Sequence, residues 1–265
     1  MDKTAVILCG GRARRLGAIS DEVPKALVQV HEKPILWYII LKLYTEGFRH
    51  FILPLGYKAD QIRDYIDHNF SSLSAKIDLI DTGEGASIGE RISKIKPLIT
   101  SENFLLINGD TIFDFPVGQV FEDLSQSKNL TTLISCQVYS QYGLLSVVNN
   151  EVIAFDRDLL VDNYEVASNG NNNEIKYRVN SGISVIKTSA LDIIPIENCN
   201  NFEREFYGEL IKKNVVGSYH IDEYWFAIDT PKDLFIINEL KNNDPRAVEA
   251  KNTKLRLSSE YPEYS

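Results

Sequence analysis

The chain is poor in what several function classes need. Its three cysteines, Cys9, Cys136 and Cys199, are odd in number and far apart, so neither a disulfide framework nor a cysteine metal cluster is expected. That usage suits a reducing cytoplasm. The four histidines, His31, His50, His68 and His220, show no H-x-x-x-H or H-E-x-x-H spacing and read as surface or packing residues rather than zinc ligands. No G-x-S-x-G elbow surrounds Ser20, Ser181 or Ser184, which removes sequence support for a hydrolase of that type. Positive charge is also short: 28 Lys and Arg face 37 Asp and Glu, a net charge of −9, the wrong sign for coating nucleic acid. No apolar run approaches the ~20 residues of a membrane span. The run from Ala5 to Cys9 is too short for a signal peptide. The expectation is a cytoplasmic protein without nucleic-acid or membrane partners, whose anionic ligands meet local cations.

What is present is a strand and helix alternation. Val6 to Cys9 reads as a buried strand closed by Gly10-Gly11. A helix is predicted from Pro34 through Tyr44 and ends at Gly47, and His50 to Pro54 forms the next strand. The alternation continues with a helix over Ala59 to His68, a strand over Lys76 to Ile80, a helix over Ile88 to Leu98 and a strand over Phe104 to Ile107. Such spacing predicts a Rossmann-like, doubly wound, mainly parallel α/β sheet with ligands at the carboxyl ends of its strands. Short runs at Thr131 to Val138, Leu144 to Val148 and Val152 to Phe155 read as antiparallel additions to that sheet. Val179 to Ile186 and Tyr224 to Ile228 are further strands, and Phe202 to Lys213 and Pro231 to about Lys241 are helices. The polar run Ser168 to Glu174 reads as a mobile loop. One domain is expected over 1–241, with 242–265 a loosely held polar tail or interface arm.

Three segments carry chemistry. The loop Gly10-Gly11-Arg12-Ala13-Arg14-Arg15-Leu16, with Lys25 after Pro24, sets small residues and four cations behind the first strand. Its backbone N–H groups can cradle phosphates while Arg and Lys neutralise them. It fits neither G-x-x-x-x-G-K-[ST] nor G-x-G-x-x-G, and a turn with solvated arginines is the competing reading. Asp110, in Asn108-Gly109-Asp110-Thr111, ends a very apolar strand where a carboxylate could hold Mg²⁺ against a triphosphate, or simply cap a turn. Asp229, in Ala227-Ile228-Asp229-Thr230-Pro231, poses the same choice between ligand and helix N-cap. Trp37, Tyr38 and Tyr44 sit at helical spacing and read as core.

At these residues the chain resembles the sugar-phosphate nucleotidylyltransferases, from about residue 3 to residue 240. Gly10 to Leu16 resembles that family's G-G-x-G-T-R-L signature and Pro24-Lys25 its P-K-P. The stretches Lys33 to Tyr44, Gly56-Tyr57-Lys58, Asp81-Thr82-Gly83 with Arg91-Ile92, and Trp225 to Thr230 resemble the glucose-1-phosphate cytidylyltransferase branch most. Asn108 to Asp114 and Phe202 to Glu205 also resemble the heptose and mannose 1-phosphate guanylyltransferases. The resemblance implies an enzyme joining a nucleoside triphosphate, CTP favoured over GTP, to a sugar 1-phosphate with loss of pyrophosphate. It implies Mg²⁺ held by Asp110 and Asp229, with Arg15 and Lys25 on the triphosphate. It further implies a nucleotide site over Leu8, Gly10, Gly11, Arg12, Ala13, Gly83, Gly89, Asn108 and Gly109, and an acceptor site at Asn180, Gly182, Glu203, Arg157 and Trp225. Homo-oligomers are expected, because such enzymes commonly assemble.

The chain departs from the pattern in three places. Ala13-Arg14 stands where Gly-Thr is usual, which matters if the turn needs a positive φ. Ile88-Gly89-Glu90 replaces T-G-G in the base-recognising stretch, and Phe155-Asp156-Arg157-Asp158 stands where E-K-P is expected, with Arg157 the substitute phosphate ligand. The competing functions are a cytidylyltransferase for a non-sugar phosphorylated metabolite and a non-catalytic sensor of nucleotide sugars.

Overall fold

Mostly apolar strands of six to nine residues build one central sheet in the computed structural model, which describes residues 3–156, 159–163, 176–239 and 243–265. In chain order the main elements are β1 (Lys3–Leu8), α1 (Ile35–Thr45), β2 (Phe48–Leu55), α2 (Ala59–Asn69) and β3 (Lys76–Asp81). Next come α3 (Ile88–Ile95), β4 (Asn103–Asn108), α4 (Val117–Gln126), β5 (Thr131–Cys136) and β6 (Val179–Lys187). The chain closes with β7 (Val216–Ile221), α5 (Pro231–Asn238) and α6 (Pro245–Glu260).

The sheet order is β7-β5-β6-β4-β1-β2-β3. Every neighbouring pair is parallel except the two that involve β6, which runs against both β4 and β5. The expected α/β architecture is therefore present. Strand order reverses between β1 and β4: β2 and β3 lie to one side, and the remaining strands to the other. A crevice opens at the carboxyl ends of such a pair, because the connections leave in opposite directions.

Apolar side chains fill both faces of the sheet. On one face α1 is buried over all of Ile35 to Leu43, since it packs on β2 beneath and α6 above. On the other, Ile92 and Ile95 of α3 join Phe202, Phe206 and Leu210. The helix expected over Phe202 to Lys213 begins as a π-helical turn over Glu203–Tyr207 before continuing over Gly208–Lys212.

Two expectations are corrected. Only Thr131–Cys136 of the three short runs joins the sheet; Leu144–Val148 and Glu151–Asp156 pair with each other as a separate hairpin. Asn149 and Asn150 link them, both with positive φ, the requirement of a type I′ turn that folds a strand back on its immediate neighbour. The C-terminal segment is likewise no loose tail. Ala247, Ala250 and Leu257 bury one stripe of α6, Asp244 caps its first turn, and the Trp37 indole N–H donates to the Tyr264 carbonyl at 2.7 Å. Small alanines allow close approach to α1, yet contribute little apolar character to the sequence. Among the described residues, no helix is long and apolar enough to cross a membrane.

Candidate functional site

The loops after β1 and β4 meet at the reversal point. The Gly109 N–H donates to the Leu8 carbonyl at 3.1 Å, and a Cβ on Gly109 would lie 2.8 Å from that oxygen, so only glycine allows this approach. The first loop turns through a short 3₁₀ segment, Arg14–Leu16, pinned by buried Leu16 while Arg14 and Arg15 reach solvent. Ala13 sits at φ −73°, and the positive φ of this loop falls on Gly17 at +59°. The substitution of alanine at position 13 thus costs no backbone strain.

Three side chains from distant parts of the chain converge at the crevice floor. The Lys25 ammonium lies 2.6 Å from a carboxylate oxygen of Asp110 and 2.6 Å from one of Asp229. Arg15 reaches the same Asp229 oxygen at 3.0 Å. Neither carboxylate is used as a cap. Thr230 caps α5 in a reciprocal box with Asp233, and the Asp229 N–H itself donates to Asp233. The Asp110 backbone joins the distant Asp229 segment, its carbonyl accepting from the Ile228 N–H at 3.0 Å. The ribbon of Thr111–Phe113 and Trp225–Ala227 brings the two acids together.

A cleft of about 490 Å³ opens over Lys25 and Asp110, while Arg15 and Asp229 stand outside its lining. Of the sequence-predicted nucleotide residues, Leu8, Gly10, Gly11, Arg12, Ala13, Asn108 and Gly109 line it, together with Lys25 and Asp110. Gly83 and Gly89 do not. Gly83 takes a turn at φ +93°, its N–H donating to Asp81. Gly89 is buried against the Ile196 carbonyl, where a Cβ would fall 2.0 Å away, so helix packing accounts for it. The wall is made by Ile88, from the stretch expected to meet the base, and by Glu84, Ala86 and Ser87, which sequence reasoning missed. A signal was available: Ser87 and Glu90 form a capping box that marks the start of α3 at the cleft edge.

Arg91 stiffens this wall from beneath. Its guanidinium is buried and donates to the carbonyls of Leu55, Gly10 and Glu84 and to the Thr82 hydroxyl, so it serves the framework. Gly10 and Gly56 are open to it because a Cβ at either would meet the guanidinium within 3 Å. Arg12 lies over the Tyr57 ring at 5.0 Å and near Asp21 and Glu84 at the mouth. Burial, followed by the nearby Asp110 charge, pushes the Cys9 thiol far up, which leaves it neutral and no nucleophile.

Beside the cleft, Asn180, Gly182 and Glu203 come together with Asn108, Leu8 and Ile88 around a depression of about 10 Å³. The Asn180 amide donates to Glu203 at 3.3 Å. Gly182 adopts φ +74°, and a Cβ there would meet the Asn108 amide at 2.4 Å. Trp225 holds this strand in place, its indole N–H donating to the Ser181 carbonyl at 3.0 Å. Arg157 and the loop Ser168 to Glu174 lie outside the described residues.

A mainly parallel sheet with a glycine loop, clustered cations and two convergent carboxylates at its reversal point is the architecture of a nucleotide-handling α/β protein. The chain belongs to the Nucleotidyl transferase family, whose pattern it matches over residues 4–243. It is 28% identical to a probable glucose-1-phosphate cytidylyltransferase of Bacillus subtilis over 90% of this chain and 96% of that protein. It is also 28% identical to a D-glycero-alpha-D-manno-heptose 1-phosphate guanylyltransferase of Campylobacter jejuni, over 88% and 99% respectively. The solved structure of HddC from Yersinia pseudotuberculosis superposes with a TM-score of 0.63 at 24% identity, covering 88% of this chain and 96% of that one, which shows the shared fold.

Proposed function

We propose that this protein is a sugar-1-phosphate nucleotidylyltransferase that uses Mg²⁺ and favours CTP. The observation that carries the reading is the convergence of Asp110, Asp229 and Lys25. Two carboxylates from separate strand ends share one ammonium at 2.6 Å each, so the pair already requires a cation between them. Both donors are hard oxygens and neither is spent on capping, a donor set that suits Mg²⁺. Bound there, Mg²⁺ would neutralise charge on the triphosphate. No protein nucleophile is required: the acceptor phosphate oxygen attacks the α-phosphorus, the bond to the bridging oxygen breaks, and pyrophosphate leaves. Arg15, exposed beside Asp229, meets the leaving pyrophosphate, and Lys25 turns from the carboxylates to the reacting phosphates. The loop amides of Gly10, Gly11 and Arg12 cradle the chain of phosphates.

The acceptor enters beside Asn180, Gly182 and Glu203, whose amide and carboxylate suit sugar hydroxyls. The choice of CTP rests on the stretches shared with the cytidylyltransferase branch, and the similar guanylyltransferase makes GTP the natural competitor. A panel of the four nucleoside triphosphates with Mg²⁺ against sugar 1-phosphates and non-sugar phosphates tests the reading by pyrophosphate release. Release with CTP and a sugar 1-phosphate is expected. Preference for GTP would overturn the base assignment, and release only with a non-sugar phosphate would overturn the acceptor. Nucleotide binding with no release across the panel would make the protein a sensor.

A further inference from the structure

We infer that Asp162, His220 and Asp222 form a second divalent-cation site, distinct from the Asp110 and Asp229 pair. The three residues offer one ligand atom each, all within 4.8 Å of one another, and among the described residues they are the one such grouping. His220 is the anchor. It projects from β7, its side chain only 14% exposed, and its Nε2 lies 2.6 Å from Asp162 Oδ1 and 3.4 Å from Asp222 Oδ1.

The surroundings of the ring suit a cation. The Ser135 hydroxyl lies 3.0 Å from Nδ1 and 3.3 Å from the Tyr219 carbonyl, which fixes the ring orientation from behind. Nε2 faces two carboxylates, and a ring N–H there, 2.6 Å from Asp162 Oδ1, serves only one of them. A divalent ion satisfies all three groups together, and the orienting bond at Nδ1 is what a ligating histidine requires. The acids are themselves held: Asn163 donates to the far oxygen of Asp162, and the Gln137 amide donates at 3.1 Å to Asp222 Oδ1, the oxygen that faces His220. One imidazole with two carboxylates suits a borderline ion such as Zn²⁺ or Co²⁺ better than Mg²⁺.

The location gives the site a purpose. Asp162 follows Leu160–Val161, which pairs with Val138–Tyr139, so an ion here fastens that ribbon to the sheet edge. His220 is in register with Ser135, and Ser135 with Asn180, which places the ion on the row of residues that ends at the acceptor segment.

Co²⁺ titration of the chelator-stripped full-length protein tests the site, because imidazole coordination gives Co²⁺ a visible absorption and a paramagnetic shift of the His220 ring protons. To silence the first site, the titration uses the Asp110→Asn, Asp229→Asn double variant. One equivalent of Co²⁺ should still bind, with the His220 shift. Adding Asp222→Asn, at a 78% exposed side chain whose change spares the fold, should weaken that binding at least tenfold, and adding His220→Gln should abolish it. Absence of a retained equivalent in the double variant, or its persistence in both additions, would overturn the inference. Thermal melts of each variant separate loss of binding from loss of fold.

Discussion

At the scale of single residues, the acids that converge and the glycines that pack were hard to tell apart in sequence and are plain in space. Asp110 and Asp229 each admitted a capping reading. That reading fails because Thr230 and Asp233 take over the cap, freeing Asp229 for Lys25 and Arg15. Lys25 itself was legible beside Pro24, but its position between two acids 85 and 204 residues away was not. Gly89 illustrates the converse: set among nucleotide-binding residues by resemblance, it is small because the Ile196 carbonyl lies where a Cβ would be. Gly89→Ala should therefore lower stability by about 1–3 kcal/mol through overpacking while nucleotide affinity of the folded fraction is retained. Urea midpoints and calorimetric binding measure the two effects. Unchanged stability with weakened nucleotide binding would restore the direct role. At the acceptor side, Gly182→Ala adds both backbone strain at φ +74° and an overlap with Asn108. Its expected signature is a raised KM for the sugar phosphate, with the KM for nucleotide nearly unchanged.

At the scale of elements, the first half of the chain was readable because strand and helix alternate there with strong apolar periodicity, and β1 to β4 fall where that pattern puts them. The second half was less so. β7 was missed, since its apolar and polar residues alternate weakly, and α4 was passed over between a strand end and the change in texture. α6 was read as a tail because its buried stripe is mainly alanine and threonine. Leu257, fully buried in that stripe, tests its docking: Leu257→Ala should cost about 2–5 kcal/mol, read from the denaturant midpoint. A loss below 0.5 kcal/mol would mean that the helix is not packed on the core. Asp244 gives the same helix a pH dependence. The hydrogen bond from the Arg246 side chain holds its carboxyl below the reference value of 3.8. A depressed folded value stabilises the native state above pH 3.8, and this contribution is lost as pH falls through the lower folded value. Asp244→Ala should cost about 1 kcal/mol at pH 7 and clearly less near pH 3. An equal cost at both values would assign the effect to packing alone.

At the scale of the whole molecule, the order β7-β5-β6-β4-β1-β2-β3 explains why one crevice collects so many of the expected residues. Reversal between β1 and β4 sends the glycine loop and the Asn108 to Asp110 turn to the same opening, and the ribbon of Thr111–Phe113 with Trp225–Ala227 delivers Asp229. Local pattern could predict a mainly parallel sheet, but it could not say that β6 would run the other way between β4 and β5. That reversal sets Asn180 and Gly182 beside Asn108, and so sets the depression proposed for the acceptor against the cleft proposed for the nucleotide. In the proposed reaction the Asp110 and Asp229 pair drives nucleotidyl transfer. The most direct test is Mg²⁺-dependent pyrophosphate release by the wild-type protein and by Asp110→Asn, side by side, with CTP and a panel of sugar 1-phosphates. Release by the wild type, falling about 10²-fold or more in a variant with an unchanged melting transition, is the predicted result. Equal release by the two proteins would contradict the account.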